Sequence, residues 1–237
     1  MEILKRKSKN PELPEALLQS QINRRSFLRF GGMVGASVVV AGSLSGITGC
    51  SKDDNEDGIN LGSGDIGVLN YAYALEQLET AFYTQVIQSQ FSGITAAETA
   101  YLTDIRDHEI AHREFFKTVL KTDAIPALEV NFSAVDFGSR TSVLGTAKAF
   151  EDLGVSAYNG AGKLLTDVNY LLAAGKIVSV EARHAALIRE LLSPNTFGNA
   201  EVVDSNGLDL ARNPSEVLSV AANYLKSKLN ASNLPTS

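Results

Sequence analysis

Glu76 is followed seven positions later by Tyr83, and Glu151 is followed seven positions later by Tyr158. Glu109-Ile110-Ala111-His112 and Glu181-Ala182-Arg183-His184 both read Glu-x-x-His. On a helix, seven residues make almost two turns and three residues reach an adjoining point of the same face, so each set of side chains lies together. The order along the chain is Glu-x6-Tyr, Glu-x-x-His, Glu-x6-Tyr, Glu-x-x-His, with 33 residues from Glu76 to Glu109 and 30 from Glu151 to Glu181. One unit is therefore repeated, and neither copy could bury its apolar face alone. Four carboxylates and two imidazoles can hold two metal ions in the core of a helix bundle, where four negative charges balance two divalent cations. Without metal, four carboxylates facing one core repel one another and are driven to take up protons.

The elements that must position these residues are helices. From Ile66 to about Gln90, Val68, Leu69, Ala72, Leu75, Leu78, Phe82 and Val86 recur at helical spacing. Phe91-Ser92-Gly93 ends that helix, and Thr95 with Glu98 forms a capping-box pattern for a second, running to about Lys121. Residues 122–140, with Pro126, Asn131, Phe132 and Gly138, carry no sustained period and read as a long connection. A third helix is expected from about Thr141 to Leu172 and a fourth from about Ala174 to Leu192, stopping before Pro194. Asn213-Pro214-Ser215-Glu216 opens a short last helix to about Leu229. The expected fold is all-α: an antiparallel four-helix bundle whose one long crossover joins helices two and three, with a C-terminal helix added. Phe82, Phe115, Phe116 and Phe150 are expected in its core. That last helix could cap the bundle or support a homodimer.

With those residues in place, the chain resembles the ferritin-like superfamily, in particular its extracytoplasmic ferritin-like domain group of the desiccation-related type. The matching stretches are LEQLETAFY (75–83), DHEIAHREFF (107–116), AFEDLGVSAYNGA (149–161) and VEARHAALIREL (180–191). The resemblance implies a carboxylate-bridged centre of two Fe or Mn ions. It implies Glu109 and Glu181 as bridging ligands, Glu76 and Glu151 as terminal carboxylates, and His112 and His184 as one imidazole per metal. Glu79, one turn beyond Glu76, is the alternative first-helix ligand, but its counterpart in the second half is Gly154. Tyr83 and Tyr158 read as hydrogen-bond donors to the ligands or redox-active neighbours. His108 corresponds to Val180 and reads as a surface or packing residue, while Arg113 and Arg183 are expected to pair with surface acids.

The first 49 residues read as an address. Arg24-Arg25-Ser26-Phe27-Leu28 resembles a twin-arginine export signal, and the uncharged run from Gly31 to Ile47 is short for a spanning helix. Ile47-Thr48-Gly49-Cys50 resembles a bacterial lipobox, which implies cleavage before Cys50 and lipid attachment to its sulfur. Residues 50–65 then form an acidic flexible tether, 66–192 the bundle, and 193–237 a C-terminal loop and helix. The expected location is extracytoplasmic, with the membrane as partner through lipidated Cys50.

Composition narrows the function further. A single cysteine excludes a disulfide scaffold and a thiolate zinc site, and a net charge of −6 argues against nucleic-acid binding. After cleavage the charge becomes −10, from 14 basic and 24 acidic residues. Ligands of nitrogen and oxygen without sulfur suit Fe or Mn. The expected chemistry is ferroxidase, catalase or peroxidase type, on Fe(II), O2 or H2O2. A peroxidase that draws electrons from a cysteine-bound iron has no cysteine here to build one. The alternative is a non-catalytic binding or structural bundle in which the metal is a staple or is merely sequestered.

Overall fold

The computed structural model describes residues 58–236, so the expected export signal, Cys50 and most of the expected acidic tether lie outside the described residues. Four long helices form the bundle: α1 (Gly64–Gln88), α2 (Ala96–Leu120), α3 (Arg140–Ala161) and α4 (Val168–Leu192). α1 packs along α2, α3 packs along α4, and α1 meets α3 across the middle. The connection between α2 and α3 is the long one, opened by a 3-10 turn over Lys121–Asp123. The chain is thus an all-α bundle with its crossover between the second and third helices.

α1 is the innermost helix. Every residue from Gly67 to Glu76 is buried, as expected of a helix enclosed on all sides rather than along one stripe. Gly93 turns the chain at φ 76°, a conformation that costs glycine little. Thr95 Oγ1 then accepts from Glu98 N at 3.1 Å while the Glu98 carboxylate accepts from Thr95 N at 2.9 Å. This reciprocal cap is worth about 1 kcal/mol.

The crossover is fastened by aromatic packing. Phe132 and Phe137 bring their ring centroids to 5.8 and 5.9 Å from that of Phe82, and Phe150 lies at 5.1 Å. Phe82 is fully buried, which contributes about 1.5–3 kcal/mol. Phe116 and Phe150 are also in the core, whereas Phe115 is only half-buried. The buried amide of Asn70 donates to Leu61 O and Asp123 O and accepts from Ile125 N. One side chain of α1 therefore ties the entering segment and the start of the crossover together.

Three boundaries differ from the sequence expectation, two of them between the third and fourth helices. The third helix ends at Ala161, not near Leu172, and α4 begins at Val168 after a 3-10 turn over Gly162–Leu164. Asp65 of α1 accepts from Thr166 N, Thr166 Oγ1 and Asp167 N at 2.7–2.9 Å. Asp167 in turn caps Asn169 N at 2.8 Å, so a contact from another helix holds the turn that local periodicity hides.

The last helix, α5 (Pro214–Ala221), stops well before Leu229. A 3-10 turn over Ala222–Tyr224 follows, and the chain then pairs instead of coiling: Asn131 N donates to Tyr224 O and Lys226 N to Glu129 O, both at 2.8 Å. β2 (Leu229–Asn230) then runs parallel to β1 (Ile59–Asn60). Residues 58–65, at the end of the expected tether, are thereby held against the bundle, with Leu61 fully buried. On α3, a Cβ at Gly160 would lie 1.8 Å from Arg212 O. Glycine there lets the chain entering α5 cross the helix, where Arg212 N bonds Ser156 O at 2.9 Å.

Candidate metal centre

α1 supplies Glu76, α2 supplies Glu109 and His112, α3 supplies Glu151, and α4 supplies Glu181 and His184. All four glutamates are fully buried, His184 is buried, and the His112 side chain keeps 12% exposure. The six side chains singled out by spacing converge at the bundle centre as two groups that could each hold a metal ion. Glu76, Glu109, His112 and Glu181 form one; Glu109, Glu151, Glu181 and His184 form the other. Within each group the candidate ligand atoms all lie within 4.8 Å of one another.

Glu109 and Glu181 belong to both groups, and their oxygens divide between them. Around His112 Nδ1 stand Glu181 Oε1 at 2.8 Å, Glu76 Oε2 at 3.5 Å and Glu109 Oε2 at 3.7 Å. Around His184 Nδ1 stand Glu109 Oε1 at 2.9 Å, Glu151 Oε2 at 3.5 Å and Glu181 Oε2 at 3.9 Å. Each shared carboxylate thus offers one oxygen to each imidazole, the disposition of a bridging ligand. Glu76 and Glu151 each face only one imidazole.

The tyrosines fix the outer carboxylates. Tyr83 Oη donates to Glu151 Oε1 at 2.5 Å, and Tyr158 Oη donates to Glu76 Oε1. Burial, then the neighbouring glutamate charge, pushes both phenols well above the ordinary tyrosine range, so each stays protonated as a donor.

Eleven buried side-chain polar atoms among the described residues lack a hydrogen-bond partner, and eight of them belong to this cluster. They are Glu76 Oε2, both oxygens of Glu109 and Glu181, Glu151 Oε2, and Nδ1 of His112 and His184. Buried polar groups are normally satisfied. A cluster of orphaned atoms, all inward-facing and all of metal-ligating type, fits a pair of cations.

The charge state of the metal-free cluster follows the same geometry. Burial disfavours the charged imidazole of His184, but Glu151 and Glu109 outweigh it and raise its pKa to about 11. His112 is raised likewise, against burial, chiefly by Glu76 with Glu109 and Glu181 beside it. Burial pushes Glu76 up to about 7, with His112 opposing. Glu109 resists burial because both imidazoles flank it, and falls to about 2. Glu181 is pushed well above the carboxylate range by burial and by the charges of Glu109 and Glu76. Protons thus stand where cations would otherwise neutralise the carboxylates.

Glu79 lies outside both groups yet is buried beside them. A Cβ at Gly154 would lie 3.3 Å from Glu79 Oε1 and 3.7 Å from Glu181 Oε2. Gly154, the counterpart of Glu79 in the repeat, is what leaves room for it. Burial and then the charge of Glu181 push the Glu79 carboxyl well above its usual range.

His108 lies at the surface as expected, yet its ring also reaches the cluster. Its Nδ1 lies 2.9 Å from His184 Nε2. No sequence signal marks it, because Val180 stands at the matching place of the second half. Arg113 pairs with Glu114 as expected, but Arg183 bonds Ser179 rather than an acid.

Comparison with protein families finds a match to the family described as ferritin-like domain over residues 64–194, more than half of the chain. That span contains all four long helices and every residue of the cluster. Comparison with curated proteins finds no match.

Proposed function

The chain belongs to the ferritin-like domain family, and from that premise we propose that it is an exported, lipid-anchored protein whose buried cluster holds two Fe or Mn ions. The proposed activity is redox chemistry on Fe(II) or on O2 or H2O2, of the ferroxidase or catalase/peroxidase type. The observation that carries this reading is the division of the Glu109 and Glu181 oxygens between two imidazoles, with eight ligand-type atoms orphaned around them.

A bound pair of iron or manganese ions would supply two-electron exchange with O2 or peroxide. The protein's part is positional. Glu109 and Glu181 would bridge the two positions; Glu76 with His112, and Glu151 with His184, would complete one each. Tyr158 and Tyr83 hold the outer oxygens of Glu76 and Glu151 and keep hydroxyl protons beside the cluster. Full burial of the four glutamates keeps bulk water from competing for the ligand atoms and strengthens every charge interaction among them. Export and attachment to a membrane through Cys50 rest on the twin-arginine and lipobox motifs.

A second reading rests on that same closure. With all four carboxylates fully buried, the metal pair could serve as a staple or a sequestered cargo without turnover. Metal analysis of the folded protein, followed by Fe(II)-oxidation and H2O2-decay assays, separates the two. About two metals per chain, with turnover lost in Glu109→Ala and Glu181→Ala, supports the enzyme. Bound metal without turnover supports the staple, and a protein that binds no metal overturns both. For the anchor, mass analysis of the mature N-terminus should find a diacylglyceryl group on Cys50, and Cys50→Ser should leave the protein unanchored.

A further inference from the structure

His108 is exposed, yet its Nδ1 meets the buried ring of His184 at Nε2, 2.9 Å away. The ring planes differ by only 8° with centroids 5.1 Å apart. Rings side by side in one plane direct the Nε2–H of one along the in-plane lone pair of the other. A neutral imidazole has one nitrogen that donates and one that accepts. For His184 to turn an Nδ1 lone pair toward a metal ion held among Glu109, Glu151 and Glu181, its proton must sit on Nε2, and His108 Nδ1 supplies the acceptor there. His108 then carries its own proton on Nε2.

The other half of the bundle lacks this arrangement. Val180 occupies the place corresponding to His108, and a valine side chain cannot accept a hydrogen bond. Among the described residues no side chain or backbone group bonds His112 Nε2. The repeat that makes the two ligand groups alike therefore fails at the residue that would orient the imidazole.

We infer that His108 is a positioning residue that makes the two metal positions unequal, locking His184 with Nδ1 inward so that the His184 position binds first and more tightly. The inference rests on the di-metal reading and deepens it. Partners that orient a ligating histidine typically change metal affinity by about 10–100-fold, so a gap of that order is expected between the two positions.

The test uses Co(II), whose visible spectrum reports its ligands, added under anaerobic conditions to the metal-free full-length protein. The wild type should fill in two resolved steps. In His108→Val the tighter step should weaken by about tenfold or more, so that the steps merge. In His108→Asn, whose amide oxygen can accept the same proton, the tighter step should return in part. The ring ¹⁵N shifts of His184 in the Zn(II)-loaded protein should show the Nε2–H form in the wild type and a mixed or exchanging form in His108→Val. The exposed position of His108 makes a folding defect unexpected, and thermal melts of the metal-free variants check it. Two equal steps in the wild type, or steps unchanged in folded His108→Val, overturn the inference alone. A wild type that binds no Co(II) overturns the di-metal reading and this inference with it.

Discussion

Tyr83 on α1 bonds Glu151 on α3, while Tyr158 on α3 bonds Glu76 on α1. Each tyrosine shares a helix face with the glutamate seven residues before it but serves the glutamate of the other half. The two copies of the repeat are thus joined by reciprocal buried hydrogen bonds. Each bond also occupies the outer oxygen of a carboxylate and leaves the inner oxygen toward the cluster. The pairing sets both the contact between halves and the aim of two candidate ligands.

Removing one of these clamps should affect metal more than fold. In Tyr83→Phe the ring still packs against Phe82, whose centroid lies 5.1 Å away, and only the hydroxyl is lost. A hydrogen bond to a charged group is worth about 1.5–3 kcal/mol. Some of that should appear as a lower Tm of the metal-free protein. Affinity at the Glu151–His184 position should fall by about tenfold or more while the other position is spared. Metal titration checks this; equal weakening at both positions would contradict the assignment of Glu151 to one group.

Glu109 and Glu181 look equivalent in the repeat, but their charge states in the metal-free protein differ. Glu109 is ionised between two imidazolium rings, whereas Glu181 is driven to its neutral form. Glu109→Gln should therefore destabilise the metal-free protein by about 3–5 kcal/mol, the cost of stripping one partner from a buried pair. Glu181→Gln replaces a protonated acid by a neutral amide of similar shape and should change the metal-free Tm little. Both variants should fail to bind a second metal. Parallel melts of EDTA-treated protein and metal analyses of loaded protein test the contrast, and equal losses of metal-free stability would refute it.

Arg189 predicts a separate, structural effect. Its side chain is buried, and it donates to Asp152 at 2.6 Å, Thr196 O at 2.9 Å, Asn199 at 2.8 Å and Glu201 at 2.7 Å. One guanidinium thereby pins the loop after α4 onto α3. Arg189→Ala should cost about 1.5–3 kcal/mol, since the acceptors lose a charged donor but stay partly open to water, Asp152 at 17% and Glu201 at 60% exposure. It should also expose residues 194–212 to proteolysis. Arg189→Lys should rescue little, because an ammonium lacks the planar fork that reaches several acceptors at once. The mass of the first limited-proteolysis fragment locates the cut.

The six cluster residues were legible because spacing on a helix fixes which residues share a face. What spacing cannot fix is the partner across the core. Tyr83 and Glu76 share a face, yet the partner is Glu151. The repeat set Glu79 aside through Gly154, and Gly154 proves to be the space that houses Glu79. The break before α4 depends on Asp65, and the end of α5 on pairing with the crossover and with β1. These contacts join segments far apart in sequence and leave no local period. His108 stayed hidden because a lone histidine without a counterpart carries no pattern.

Metal loading should expel protons, and the pH dependence should reveal it. At neutral pH the metal-free cluster holds protons on His184, raised from 6.5 to about 11, on His112, raised further, and on Glu181. Ligation needs neutral imidazoles and ionised carboxylates. Affinity should therefore fall as pH falls, by about tenfold per pH unit for each proton released. Calorimetry in buffers of different ionisation enthalpy counts those protons; heats that do not vary with buffer would refute the charge assignment. Stability should follow the same signs. The Glu109 contribution is present above 4.5 and lost as pH falls through about 2. The Glu76 contribution is lost as pH rises from 4.5 through about 7, and that of His184 as pH rises from 6.5 through about 11. The metal-free protein should thus be most stable in mildly acidic solution. Loading replaces those protons with cations, so the pH of maximum Tm should move upward. Melts of EDTA-treated and loaded protein across the pH range measure that displacement directly, and coincident maxima would show that cations do not take the protons' place.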